Sequence, residues 1–243
     1  MPLSLKDEWT VVASGLIAHA DEILERGEWD TILSFLGDSL SANERETWLE
    51  VLADQGLLED RYAALADPPA EFVDELLRRC WRVALADGEG SDIEESVHDR
   101  IAMRLDVDLD RVDAMRRKWT SDAEAKAAAT LALAAVFVNL DGVLDFHEAV
   151  HFDELLGRSP VPIGRRVELA ALLNDPPSVD DVVAQLNQLT LGERLEALGE
   201  LVPLVRASLR KQEEQAAFVN VMTRAGVEGE AAAKLIASAS AAG

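Results

Sequence analysis

Two patterns in this sequence set metal-ligating or acid–base side chains at spacings that chemistry can use. The first is His147-Glu148-Ala149-Val150-His151, a literal H-E-x-x-H. On a helix it sets two imidazoles on one face for zinc, with the glutamate as general base. Asp153, Glu154 and Glu168 are the candidates for a third ligand. Such a site would make the chain a zinc metallohydrolase. Peptide hydrolases of that type usually align substrate on a strand edge, and no convincing sheet can be read here. A structural or adventitious zinc site on His147 and His151, without hydrolysis, is a second reading, and two exposed histidines on a helix face are the plainest.

The second pattern is an Asp followed seven positions later by a Glu, after an apolar run. It occurs as Asp21 to Glu28, as Asp87 to Glu94 and as Asp141 to Glu148. In the second and third copies the Asp precedes Gly88 or Gly142, which can take the left-handed conformation that closes a helix. The Glu then falls in the first turn of the next helix. This spacing can bring Asp87, Asp92 and Glu94, or Asp141, Asp145 and Glu148, to one side of the turn beside the positive helix end. Three oxygens so placed suit a hard divalent cation, with water completing its shell. The primary ligands would be Asp87 and Asp141, the second ligands Glu94 and Glu148, and the auxiliaries Asp92 and Asp145. The alternative needs no metal: Glu94 and Glu148 each lie three residues after a capable N-cap, Ser91 and Asp145, and serve as capping-box acids. A true EF-hand is excluded at the third turn, because its first ligand position would be Phe137.

These residues require helices to position them. Phe72, Leu76, Cys80, Val83 and Ala84 recur at three- and four-residue steps, as do Ala127, Leu131, Ala134 and Val138, so both stretches read as amphipathic helices. Capping-box patterns at Ser41–Glu44, Ser91–Glu94, Ser121–Glu124 and Thr190–Glu193 mark helix starts. Proline pairs at 68–69 and 176–177 punctuate the chain. A fourth acidic turn is due near Ser208, where the chain is instead basic at Arg206, Arg210 and Lys211. The expected fold is all-α with internal pseudo-repeats, in two units: residues 1–119 with two acidic helix-turn-helix repeats, and 120–243 with one intact and one degraded. Trp119-Thr120-Ser121-Asp122 is the short junction between them, and Arg116-Arg117-Lys118 reads as a basic cluster at a helix end.

Apolar residues make up 49% of the 243-residue chain and aromatics only 5%, a composition that suits packed helices. The net charge of -23 repels nucleic acid and anionic membrane and attracts cations or basic partners. The single cysteine, Cys80, allows no internal disulfide and reads as a buried thiol in a reducing cytoplasm. The N-terminus has no basic region followed by an apolar core, and no segment approaches a membrane span, so a soluble cytoplasmic chain without membrane insertion is expected. His19 and His98 read as packed or solvated. No phosphate loop, dinucleotide fingerprint or nucleophile elbow is present.

The apolar helix ending in Ala86-Asp87-Gly88, the Glu94 seven after the Asp, and the continuation into Ile101-Ala102-Met103-Arg104-Leu105 resemble the TerB and TerB-like family of tellurite-resistance and stress proteins. The turn at Asp141-Gly142 is the next best match. The resemblance implies tandem TerB-like helical bundles, acidic clusters for a divalent cation (calcium, magnesium or zinc), no catalysis, and protein partners in stress-response or membrane-associated complexes.

Overall fold

The computed structural model describes residues 3–20, 26–36, 40–86, 88, 90–140, 146–207 and 211–240. They are helical, with no strand among the described residues. Asp21, Asp87, Asp141 and Asp145 lie outside them, and so does the segment at Ser208. The chain divides into two compact units, Met1–Ser121 and Asp122–Gly243.

The first unit holds α1 (Leu5–Ala18), α2 (Arg26–Leu36), α3 (Ala42–Ala53), α4 (Gln55–Ala64), α5 (Val73–Ala84), α6 (Asp92–Arg104) and the first part of α7 (Leu109–Val138). α1 is buried on all sides from Trp9 to Ala18 and packs against α2, α4, α5 and α6. Apart from Thr10 and Ser14 the buried stretch is apolar on every face, as in a helix packed inside a core. Gly15 permits a close approach of α3 and α4: a Cβ there would stand 2.9 Å from Leu52 Cδ2 and 3.0 Å from Leu58 Cδ2. Phe72, Leu76, Cys80, Val83 and Ala84, the periodic residues around α5, are all buried.

The second unit holds the rest of α7, then α8 (Phe146–Gly157), α9 (Ile163–Ala170), α10 (Val179–Leu186), α11 (Leu191–Glu200), α12 (Val202–Ala207), α13 (Lys211–Arg224) and α14 (Gly229–Ser240). Leu131–Val138 of α7 is continuously buried, and α12 packs against α8, α11, α13 and α14. Pro203 stands in the first turn of α12, where its missing N–H falls among donors the helix leaves free anyway.

Ser41, Ser91 and Thr190 each form the reciprocal capping box with the Glu three residues on. The pattern at Ser121–Glu124 starts no helix, because it lies inside α7. From Leu109 to Val138 the sequence contains neither Gly nor Pro and is alanine-rich, so nothing interrupts the backbone ladder. The expected junction at Trp119–Asp122 is likewise continuous helix, and Arg116-Arg117-Lys118 falls in the helix middle, not at an end.

Helix boundaries recur at a fixed interval. Ala18 and Val138 end helices 120 residues apart; so do Arg104 and Arg224, while Leu109 and Gly229 start helices at the same separation. α6 and α13 end alike. Asp106 (φ 57°) and Gly226 (φ 69°) are both left-handed. Val107 N–H donates to Ala102 O at 3.0 Å, and Val227 N–H to Met222 O at 2.9 Å. This is the double-bonded C-terminal motif that satisfies the last free carbonyls.

Candidate functional site

At the second acidic turn Leu85 and Ala86 close α5, and Gly88 (φ 113°) adopts a backbone that L side chains rarely take. Ser91 then caps α6. The Glu94 carboxylate accepts the Ser91 N–H at 2.7 Å, while Ser91 Oγ accepts the Glu94 N–H at 3.2 Å. Glu94 is 4% exposed, whereas Asp92, two residues earlier in the same turn, is exposed. The two carboxylates are therefore held in different surroundings, and Glu94 is committed to the helix end. At the third turn Glu148 is half-buried in the first turn of α8. Among the described residues no three His, Cys, Asp or Glu side chains group as a metal site.

The H-E-x-x-H sequence does lie on a helix, α8. His147 is exposed, its ring set edge-on to Phe146 with centroids 6.0 Å apart. His151 Nδ1 is 3.6 Å from Glu154 Oε2. Of the other third-ligand candidates, Asp153 is exposed and Glu168 pairs with Arg165 on α9. In the second unit a pocket of 440 Å³ opens between α7, α10 and α13, lined by Phe137, Leu140, Val179 and Val221 with Asn220 and Arg224. Arg224 pairs with Asp180.

The densest polar cluster in the first unit has no short motif. Arg116 of α7 is 4% exposed and donates to Glu95 at 2.9 Å and Asp99 at 2.6 Å, both on α6, and also to Asp113 one turn back. Its guanidinium lies 5.5 Å from the Trp81 ring centroid. His98 of α6 is fully buried, with Nε2 2.9 Å from Leu77 O. A carbonyl can only accept, so Nε2 carries the proton and Nδ1 is the lone-pair nitrogen. Arg116 Nη1 donates to that nitrogen at 3.3 Å. Burial foremost pushes the imidazole down to about 4; the Leu77 bond pulls it upward, and the adjacent Arg116 charge lowers it further against a weaker upward effect of Asp99. The ring is neutral, flanked edge-on by Trp81 at 5.5 Å and Trp119 at 6.4 Å.

Trp81 is itself fixed. Its indole N–H donates to Thr120 Oγ1 at 3.0 Å, and its six-membered ring covers Gly90. The cluster thus ties α5, α6 and α7 to the acidic turn, and its chemistry is that of a clamp: a neutral imidazole and a guanidinium bonded through both terminal nitrogens. Cys80 lies fully buried on α5, where burial raises the thiol to about 12, far from the thiolate a nucleophile needs. His19, at the end of α1, spends Nε2 on Leu52 O at 2.7 Å. The one sequence signal for the clamp is the i,i+4 spacing of Glu95 and Asp99, which the sequence does not distinguish from a solvated face. No family model matches the chain, and neither a curated protein nor a solved structure does.

Proposed function

We propose that this protein is a non-catalytic binding scaffold of the TerB-like kind, a tandem of two related helical units acting through protein partners in a stress response. The reading rests most on the fate of the buried polar groups in the first unit. His98, Arg116 and Glu94 each hold one helix end or helix pair, and Cys80 is sealed, so these four groups of the first unit are engaged in architecture. The interval of 120 residues between matching helix boundaries supports descent of the tandem from one duplicated unit. In this reading Glu94 and Glu148 serve helix starts. A calcium or magnesium ion at a turn would depend on Asp87 or Asp141, with Asp92 or Asp145 and water completing its shell.

The test is elemental analysis of tag-free protein, followed by thermal melts in calcium, magnesium, zinc and chelator, because a ligand that binds only the folded state raises its stability. The scaffold reading expects a melt unmoved by chelator and no hydrolase activity. A calcium-dependent rise that disappears in Asp87→Ala and Asp141→Ala would assign cations to the turns. Stoichiometric zinc with a peptidase turnover abolished by Glu148→Gln would replace the scaffold with an enzyme.

A further inference from the structure

The chain has four histidines and one cysteine, the side chains that borderline transition ions prefer over oxygen. Three of these five are engaged within the fold. His98 and Cys80 are fully buried, and His19 is partly buried with its ring nitrogen on the Leu52 carbonyl. The remaining two, His147 and His151, stand four residues apart on α8 and both reach solvent. Positions i and i+4 of a helix carry neighbouring side chains on one face, so a modest rotation of exposed rings brings two imidazole nitrogens to one ion. Glu154, one turn further along the same face, stands 3.6 Å from His151 Nδ1, a small side-chain rotation short of hydrogen-bond distance, on the side of the ring away from Nε2. A carboxylate behind the imidazole of a metal-ligating histidine fixes the tautomer and raises its basicity. The net charge of -23 concentrates cations around the molecule.

We propose that His147 and His151 form a surface chelate on α8 for one borderline divalent transition ion, zinc or nickel, with Glu154 as the positioning carboxylate and water filling the remaining coordination positions. This site takes nitrogen ligands and so stands apart from the acidic turns, whose oxygen donors suit calcium or magnesium. It needs neither a third protein ligand nor hydrolytic chemistry, and it holds whether or not the turns bind a cation.

Equilibrium dialysis of tag-free protein against zinc and nickel is the test, run beside His147→Gln, His151→Gln and Glu154→Gln. Both histidines lie at the surface, so the first two variants are expected to fold, with circular dichroism as the check. One saturable equivalent per chain is expected, weakened by about tenfold or more in each histidine variant and by about tenfold in Glu154→Gln. Excess calcium is expected to leave it unchanged. Absence of saturable binding at millimolar metal would overturn the proposal, as would affinity retained in either histidine variant. Unchanged affinity in Glu154→Gln would remove the positioning role.

Discussion

The six-membered ring of Trp81 lies against Gly90 so closely that a Cβ at that position would stand 2.5 Å from Cη2 and 2.7 Å from Cζ2. Neither atom can retreat cheaply, since the indole N–H is tethered to Thr120 and the ring packs on His98. Gly90→Ala is therefore expected to destabilise the first unit by about 1–3 kcal/mol, the range for overpacking a filled site. Gly192→Ala is the control. Nothing lies within 4 Å of the added Cβ, and the same exchange there should be neutral or stabilise by up to about 1 kcal/mol. Urea denaturation of the two variants checks both.

Helix starts offer a second comparison. Ser91 caps α6, whereas Ser121 sits within α7 and is exposed. Ser91→Ala should cost about 1 kcal/mol, the usual loss of an N-cap, and Ser121→Ala should cost nothing measurable. Equal losses at the two positions would mean that α7 is broken near residue 121.

His98 sets a pH dependence whose sign follows from its lowered affinity for a proton. The folded value of about 4 lies below the ordinary 6.5, so the unfolded chain takes up the proton first as pH falls. Stability from this group is full above about pH 6.5 and declines toward pH 4, by up to about 1.4 kcal/mol per pH unit. Protonation would also place a cation at the nitrogen that receives the Arg116 N–H. Denaturation between pH 7 and 4.5 should show the decline in the wild type and a flatter profile in His98→Gln, whatever the variant's stability at neutral pH.

Cys80 should not react with a disulfide-exchange reagent while the protein is folded. It is fully buried and its thiol is held at about 12. Reaction is expected only through opening of the α1–α5 core, so labelling should accelerate with denaturant in parallel with unfolding. Fast labelling in buffer would contradict the packing of α1 on α5.

Features set by local chemistry could be read along the chain. Ser41, Ser91 and Thr190 cap because a hydroxyl and a carboxylate three residues apart need no other partner, and Leu76, Cys80 and Val83 show their burial by helical spacing. The same signal misleads at Ser121, since a capping pattern only permits a start and the alanine-rich stretch around it propagates the helix instead. Arg116 was hidden for the opposite reason. Its neighbours Arg117 and Lys118 make it look like part of a basic surface, and only the packing of α6 on α7 places Glu95 and Asp99 around it. Gly90 needs the Trp81 ring, nine residues earlier, to explain it. At the second acidic turn the spacing shows that the cap can claim Glu94, but the burial that separates Glu94 from the exposed Asp92 comes from packing.

Trp9, Trp29, Trp48, Trp81, Trp119 and the sole tyrosine, Tyr62, all precede Ser121, the last residue of the first unit. The second unit is thus optically dark at 280 nm, visible only through phenylalanine and the peptide bond. A fragment carrying residues 122–243 would elute unseen by an ordinary absorbance detector. In the full chain, indole emission isolates one half while far-ultraviolet dichroism reports both, so two probes in one cuvette reveal whether the halves melt together or in succession.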